Sequence, residues 1–474
     1  REELCKGTSD VLLPLIFFID GSVIDNNGRL SVEPVTMTLG IFNRETRNKA
    51  EAWRSLGYIE DLKNKVTADA IPSKQSSAKL QDYHAILDHI LTELKYIQGE
   101  KGGFNWKIDL NGKSHNIVFK VALQVIIGDC KGNDILCGCF GSHSKTSRGF
   151  CRDCKVTYSA SDDPNHQCVF IRPSDFKGKP ANEVNDLGFH VINNAFDQIH
   201  FGARDLGVFG CTPSEPLHAF KLGLCKYLFD YLIDEMPPKT NKAIDEKLKG
   251  IIRTDVNQSF RGLPSISVLR NGLQGCVTLT ADDQFARIFG IFLCLLDPTI
   301  LKSLCTDNRY RRNDEKRGAP VSIGPMKFKD GMNWFQLIQH TVVYHSWLYS
   351  ETHDMKDFQE PLQSSSDLSS CSSDDSDNDS DAKLRESPAQ LAVRSYLHNF
   401  HKVVKRNTGN QLKLNKFHQQ LHNTSQILKD GSLLNIDGGR PESIAIQTLK
   451  KPGSLSQKRS SVLNQQVAQN LMSD

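Results

Sequence analysis

Residues 13–20 have the sequence LPLIFFID, an apolar run that ends in a carboxylate and is followed by Gly21. A run of this length, rich in β-branched and aromatic residues and bounded by a turn signal, predicts a buried strand over residues 11–20. Phe119 to Asp129, FKVALQVIIGD, has the same pattern. Because buried strands of α/β folds present ligand-binding groups at their carboxyl ends, Asp20 and Asp129 are candidates for a metal site at one rim of a sheet.

Turn chemistry and periodicity predict the elements around these strands. The turn at residues 25–28 precedes an extended segment, Leu30 to Phe42, that returns as a hairpin. Lys74 to Ile97 has helical spacing of its apolar residues. Trp106–Leu110 and His115–Phe119 flank Asn111-Gly112, which predicts a second hairpin before the strand that ends at Asp129. Buried or amphipathic helices are predicted at residues 280–301, 334–349, 388–404 and 412–428, and from Pro441.

Length and composition narrow the class of protein. The 474 residues suffice for two to four domains, and no apolar run is long enough to predict a transmembrane helix. No signal peptide precedes the first strand, and the chain begins with Arg1 rather than Met, so we expect a fragment. The thirteen cysteines are odd in number and several lie in apolar runs, which is typical of a reducing intracellular compartment.

The charge is unevenly distributed. Ser364 to Asp381 holds six Asp and no Lys or Arg, so the overall charge of +3 corresponds to +9 on the remaining residues. This Ser/Asp tract predicts a disordered linker, and a solvated spacer is favoured over a phosphate acceptor. The basic body is compatible with nucleic acid. The stretches Arg309–Arg317 and Lys402–Arg406 could contact phosphates, or could simply be solvated charged surface.

Asp20 and Asp129 are candidates for metal-dependent chemistry. Two neighbouring carboxylates repel each other unless a divalent cation lies between them. A pair of Mg²⁺ ions held in this way can catalyse phosphodiester cleavage, which usually requires a third carboxylate. The alternative is that each Asp only serves the turn at the end of its strand.

Cys151-Arg152-Asp153-Cys154 is a C-x-x-C motif and supplies half of a tetrahedral zinc site. The other half could come from His166 and Cys168, from His218, or from the upstream pair Cys137 and Cys139. Zinc is favoured over redox chemistry because the motif follows a polar loop rather than a strand, and free thiols are the third interpretation. His418 and His422 stand at i and i+4 without the Glu of the metalloprotease motif, so a structural or DNA-facing role is favoured for them.

Five segments, taken in order, resemble one known family. They are LPLIFFID-G with EPVTMTLGIFNRETRN, IIGDCKGNDILCG, CRDC, EPLHAFKLGLCKYL, and a closing block of KRNTGNQLKLNKFHQQLH, GSLLNIDGGRPES and KKPGSLSQKR. In this order they are similar to the transposases of CACTA-type DNA transposons, and more closely to the Plavaka-like branch. The resemblance spans nearly the whole chain.

The resemblance implies an α/β fold with an RNase H-like core, in which a mixed sheet of about five strands is flanked by helices. It implies an Asp-Asp-Glu triad of Asp20 after the first strand, Asp129 after the fourth, and Glu442 on the helix near Pro441. Asp437 is the nearest substitute for Glu442. The triad would hold two Mg²⁺ or Mn²⁺ ions.

The resemblance also implies the domain organisation. Residues 1–150 would form the first part of the core and 151–362 a mainly helical insertion, which would be pinned to the core by structural Zn²⁺. The zinc ligands would be Cys151, Cys154 and His218, with Glu215 of the acid-x-x-His motif, or alternatively His166 and Cys168. Residues 363–382 would be the linker, and 383–474 a helical part completing the core.

The predicted function is that of a transposase catalytic region in the nucleus. Double-stranded DNA, as transposon end and target, is the expected partner. Water would attack the phosphodiester at the transposon end, and the freed 3′-OH would then attack target DNA. Homo-oligomer formation is a further expectation. The first alternative is an inactive transposon-derived protein that binds DNA or protein without catalysis, and the second is a zinc-stabilised interaction module.

Overall fold

The computed structural model describes residues 4–7, 9–23, 31–60, 72–140, 149–202, 205–253, 265–273, 279–311, 321–359, 386–405 and 411–445. It is a mixed α/β protein. Several predicted features lie outside these residues. They are the turn at 25–28, the Ser/Asp linker at 364–381, basic residues 312–317 and 406, and the last closing motif at 450–459.

The strands are β1 (Asp10–Ile19), β2 (Ser22–Val23), β3 (Ser31–Leu39), β4 (Arg54–Glu60), β5 (Phe104–Leu110), β6 (Lys113–Ile127), β7 (Asn308–Arg311) and β8 (Val321–Pro325). The α-helices are α1 (Arg44–Arg47), α2 (Pro72–Ile90), α3 (Thr92–Gln98), α4 (Cys130–Cys137), α5 (Ala181–Asp186), α6 (Gly207–Cys211), α7 (Lys226–Glu235), α8 (Pro238–Arg253), α9 (Ala281–Leu295), α10 (Pro298–Thr306), α11 (Phe328–Leu348), α12 (Pro388–Val403), α13 (Asn415–His418), α14 (Asn423–Asp430) and α15 (Gly439–Ala445). Short 3₁₀-helices cover Ala50–Ala52, Tyr158–Ala160, Pro173–Asp175, Ile266–Asn271, Met355–Phe358, Gln419–His422 and Leu433–Asn435, and a π-helical segment covers Leu217–Cys225.

The main sheet is built around β1 and β6, which are parallel neighbours. On the other side of β1 lies antiparallel β3, which also pairs with β2 and β4, while β5 pairs antiparallel with β6. Phe18 of β1 pairs with Ile127 of β6, so the two strands end at the same edge of the sheet. Past the residues that pair with β5, β6 also makes one isolated parallel bridge, between Leu123 and Phe201.

The two central strands are the most buried elements of the sheet. Phe17 and Ile19 of β1, and Leu123 and Ile126 of β6, are fully buried. Strands covered on both faces require nearly continuous apolar sequence rather than alternation, which is why these two were recognisable. Leu87, at the end of α2, is part of the same core.

The segment before Asp129 differs from its prediction. The second hairpin strand and the strand that ends near Asp129 are one continuous strand of 15 residues, β6. The hairpin turn itself is confirmed: Asn111 and Gly112 have φ of 52° and 75°, which a two-residue turn requires. Because β2 and β4 were not predicted, Asp129 follows the sixth strand of the chain rather than the fourth.

One other prediction is corrected. The helix expected over residues 74–97 is two helices, α2 and α3, which are separated at the fully buried Leu91. Ahead of these helices, Trp53 is buried just before β4, whereas Leu56 within β4 is 37% exposed.

Packing divides the chain into two compact units. The first comprises residues 1–161, 166–219 and 435–474, and it contains the main sheet. Residues 151–161 and 166–219, which the sequence analysis assigned to the insertion, pack in this unit. So does α15.

The second unit, residues 162–165 and 220–434, is mainly helical. Its helix α9 is buried along most of its length and starts at a capping box of Thr280 and Asp283. Phe285 of α9 stacks on His345 of α11, with ring centroids 3.6 Å apart. In the described part of the chain no single helix has the length and apolarity to cross a membrane; α9 and α10 meet that requirement only as a pair, bent by 100° at the break.

Candidate active site and metal-binding residues

The two strand-end carboxylates lie at one edge of the sheet. Asp20 directly follows β1, and Asp129 stands two residues beyond the end of β6. Because Phe18 and Ile127 are paired in parallel, the chain delivers both Asp residues to the same rim. Asp129 is also the N-cap of α4, where its side chain accepts a hydrogen bond from the backbone N–H of Gly132.

Glu442 joins the site from the first turn of α15. Its carboxylate oxygen lies 3.5 Å from Nε2 of His218, and its charge contributes to the raised pKa of Asp20. Asp437, the alternative third acid, accepts a hydrogen bond of 3.0 Å from the backbone N–H of Gly439. The geometry therefore favours Glu442 as the third carboxylate, with Asp437 supporting the start of α15.

Glu215 is almost completely buried and is saturated with hydrogen bonds. One carboxylate oxygen accepts from the backbone N–H of Leu217 and of Gly438, each at 2.8 Å. The other accepts from the backbone N–H of His218 at 2.8 Å and bonds Nδ1 of the same residue at 2.7 Å. Because Gly438 directly precedes α15, Glu215 fixes the start of the helix that carries Glu442.

His218 bridges two acids, with Nδ1 on Glu215 and Nε2 facing Glu442. Burial alone would lower the pKa of His218. The hydrogen bond and charge of Glu215, followed by the charges of Glu442 and Asp129, overcome that effect and raise the pKa to about 9. The imidazole is therefore cationic at neutral pH, a single positive charge among several carboxylates.

The pKa of Asp20 depends on its burial and on the charges of the neighbouring residues. Burial, and then the negative charges of Asp129 and Glu442, raise the pKa of Asp20 to about 7, although the cationic His218 acts in the opposite direction. A carboxyl group behaves in this way when like charges crowd it in a poorly solvated place. The three predicted acids are thus brought together in the first unit, with His218 beside them.

Glu33 is a fourth acid at this site, and it was not predicted from the sequence. It lies on β3 and accepts a hydrogen bond of 2.7 Å from the hydroxyl of Tyr83. Burial and the charge of Asp129 raise the pKa of Glu33 to about 7, against the hydrogen bond from Tyr83, which lowers it. The available signal was a lone charged residue within the otherwise uncharged strand SVEPVTMTL.

Asp20, Asp129 and Glu442 offer oxygen donors only, and carboxylate oxygens are the ligands that Mg²⁺ and Mn²⁺ prefer. In the described residues, the side chains whose ligand atoms all lie within 4.8 Å of one another are Cys and His residues, and these carboxylates are not among them.

The C-x-x-C motif lies in a small apolar cluster of its own, formed by Phe150, Cys151, Cys154 and Val156. Hydrogen bonding with neighbouring thiols, together with burial, raises the pKa of the Cys154 thiol. None of the eleven cysteines in the described residues forms a disulfide bond.

One group of side chains within the first unit could hold a metal ion such as zinc. Cys154, His166 and Cys168 present ligand atoms within 4.8 Å of one another. The alternative predicted pair, His166 and Cys168, is thus brought to the C-x-x-C motif.

The predicted zinc set that included Glu215 and His218 is not the set that the structure brings together. The oxygens of Glu215 are occupied by three backbone N–H groups and by His218, whose other ring nitrogen faces Glu442. The upstream pair Cys137 and Cys139 is also not among the described side chains that could hold a metal. The Cys137 thiol instead contacts the hydroxyl of Thr212 at 3.2 Å.

A comparison with models of known protein families finds no match for this chain, and a comparison with curated proteins finds none either.

Proposed function

We propose that this chain is the catalytic region of a DNA transposase of the Asp-Asp-Glu type, which cleaves phosphodiesters and transfers strands in a metal-dependent reaction. The observation that carries the proposal is the placement of Asp20 and Asp129 at one rim of the sheet, with Glu442 3.5 Å from His218 beside them. In agreement with this, burial and then the charges of Asp129 and Glu442 raise the pKa of Asp20 to about 7. The expected substrate is double-stranded DNA at transposon ends and at target sites, in the nucleus, with the protein acting as a homo-oligomer.

The sheet supports an RNase H-like core. Two adjacent parallel strands deliver the two Asp residues to one edge, and a helix delivers the Glu. This is the arrangement that the family resemblance implies, even though the number of strands before Asp129 differs. The acid-x-x-His motif, Glu215 to His218, belongs to the same site and fixes the entry to that helix.

Each side chain has a separate task in this proposal. Asp20, Asp129 and Glu442 would hold two divalent cations, which lower the pKa of an attacking water and stabilise the leaving oxygen when bound. His218 orients Glu442 in the metal-free site and compensates part of the negative charge. Glu215 orients His218 by accepting from Nδ1 and from its backbone N–H.

The Cys/His residues are proposed to hold structural zinc. Thiolate and imidazole donors suit Zn²⁺, whereas the carboxylate site suits Mg²⁺ or Mn²⁺, so one chain would hold two different metals. Structural zinc takes four such ligands, and Cys154, His166 and Cys168 would supply three of them.

The test is a strand-cleavage assay on labelled duplexes taken from the DNA that flanks the gene, with Mg²⁺ or Mn²⁺. Asp129→Asn is the informative variant because Asn also caps helices, so α4 keeps its N-cap while the carboxylate charge is lost. Asp109→Asn, at an exposed position on β5, is the matched control.

Metal-dependent nicking that disappears in Asp129→Asn and persists in Asp109→Asn would support the proposal. Equal nicking by all three proteins would indicate a contaminating nuclease. DNA binding without nicking by the wild-type chain would contradict catalysis and favour the inactive, DNA-binding alternative.

A further inference from the structure

The side chain of Arg152, between the two cysteines of the C-x-x-C motif, is fully buried. Its guanidinium donates to the backbone carbonyl of Thr212 at 3.1 and 3.2 Å and to that of Pro213 at 3.2 Å. On its other side it pairs with Asp134 at 3.1 Å and lies 3.5 Å from the carbonyl oxygen of Cys130. A buried charge with this many partners is held in one position.

The two segments that Arg152 contacts are those that carry the proposed active site. Cys130 directly follows Asp129, and Pro213 stands two residues before Glu215. Asn133 makes a second link between the same segments, because its amide donates to the carbonyls of both Gly128 and Pro213 at 3.2 Å. The buried side chains thus join the end of β6 to the loop that leads to the acid-x-x-His motif.

We infer that Arg152 is a positioning residue that sets the separation between Asp129 and the group formed by Glu215, His218 and Glu442, and thereby the affinity of the carboxylates for divalent cations. This inference rests on the proposed function. Only a planar guanidinium offers a fixed fork of five donors, which lets Arg152 contact both segments at once. The loop at Thr212 and Pro213 leads to Glu215, so its position also sets the position of α15. Glu215 accepts a hydrogen bond from the backbone N–H of Gly438, directly before that helix.

The experiment measures Mn²⁺ binding by electron paramagnetic resonance on the full chain, alongside the nicking assay. Arg152→Gln is expected to weaken Mn²⁺ binding by about 10- to 100-fold, as does the loss of residues that orient metal ligands elsewhere. Arg152→Lys keeps the charge but cannot donate to both segments, so its affinity should fall between those of wild type and Arg152→Gln. Arg172→Gln, whose side chain is 58% exposed in the same unit, is the control and should bind as wild type.

Circular dichroism shows whether each variant is folded, so that a weaker Mn²⁺ affinity of a folded variant can be assigned to mispositioned carboxylates. If Arg152→Gln does not fold, Asn133→Leu, which keeps the branched shape of the side chain and removes the second link, replaces it and is judged by the same criterion. A folded variant that binds Mn²⁺ as tightly as wild type would overturn the inference, even if its nicking were lost. Mn²⁺ binding by wild type without nicking would contradict the nuclease and leave the Mn²⁺ affinities to decide the role of Arg152. No Mn²⁺ binding by wild type would overturn both.

Discussion

The bond between Glu215 and His218 makes a quantitative prediction for Glu215→Gln. The pKa of His218 stands at about 9 against an ordinary value of 6.5, and each pKa unit corresponds to about 1.4 kcal/mol. Protonated His218 therefore stabilises the fold by about 3 kcal/mol. Since the pKa is raised in the folded state, this stabilisation is complete below pH 6.5 and is lost as the pH rises through about 9.

Replacing the Glu215 carboxylate with an amide removes the negative charge and turns one acceptor oxygen into a donor. The pKa of His218 should fall by about 1–3, because burial remains while its nearest anion is gone. Two of the four hydrogen bonds to the carboxylate would also be lost, at about 1.5–3 kcal/mol each for bonds to a charged group. The total loss of stability at pH 6 is therefore several kcal/mol.

Nuclear magnetic resonance on chain labelled with ¹⁵N-histidine measures this pKa directly, and the signal absent from His218→Gln assigns it. Urea unfolding between pH 6 and 10 measures the stability. Glu183→Gln, at an exposed glutamate in the same unit, is the control and should change neither. A wild-type His218 that titrates at or below 6.5, or one whose pKa is the same in Glu215→Gln, would refute the reasoning.

Three further predictions concern the core and the two metal sites. Phe17→Ala, at a fully buried position of β1, should lower the free energy of unfolding by about 3–5 kcal/mol, as measured by urea unfolding. Val11→Ala, at a residue that is 40% exposed, should lower it by less than about 1 kcal/mol. Mn²⁺ affinity should fall as the pH drops below about 7, because protonation of Asp20 removes a ligand charge; a pH-independent affinity from pH 5.5 to 8.5 would contradict this. Cys154→Ser, at the cysteine of the group with His166 and Cys168, should lose zinc by elemental analysis, whereas Cys5→Ser should retain it, and equal zinc content in the two variants would argue against the site.

The strands that position the candidate site could be predicted because their burial requires a run of apolar residues that is visible in the sequence. A strand covered on both faces must be apolar throughout, so β1 was visible as an unbroken run that ends at Asp20. The turn at Asn111-Gly112 was equally local, since it requires positive φ at both residues. In contrast, Arg54–Glu60 has no periodic pattern, because an outer strand such as β4 is buried only in part.

The partners of each site residue could not be predicted in the same way. His218 was a reasonable zinc ligand by residue type, but its position beside Glu442 depends on how a loop and a distant helix pack. The inward direction of Glu33 likewise follows from its contact with Tyr83 and not from its neighbours in sequence.

The hydrogen bond from Gly438 to Glu215 has a consequence for the time course of synthesis. More than 200 residues separate its two partners, and a ribosome adding about 5–20 residues per second needs about 10–45 s to make them. Throughout that interval the nascent chain already contains Asp20, Asp129 and His218 but not Glu442. Assembly of the carboxylate site therefore waits until the residues between Glu215 and Gly438 have been synthesised, and a ribosome that stalls before Gly438 releases a chain that lacks the third acid.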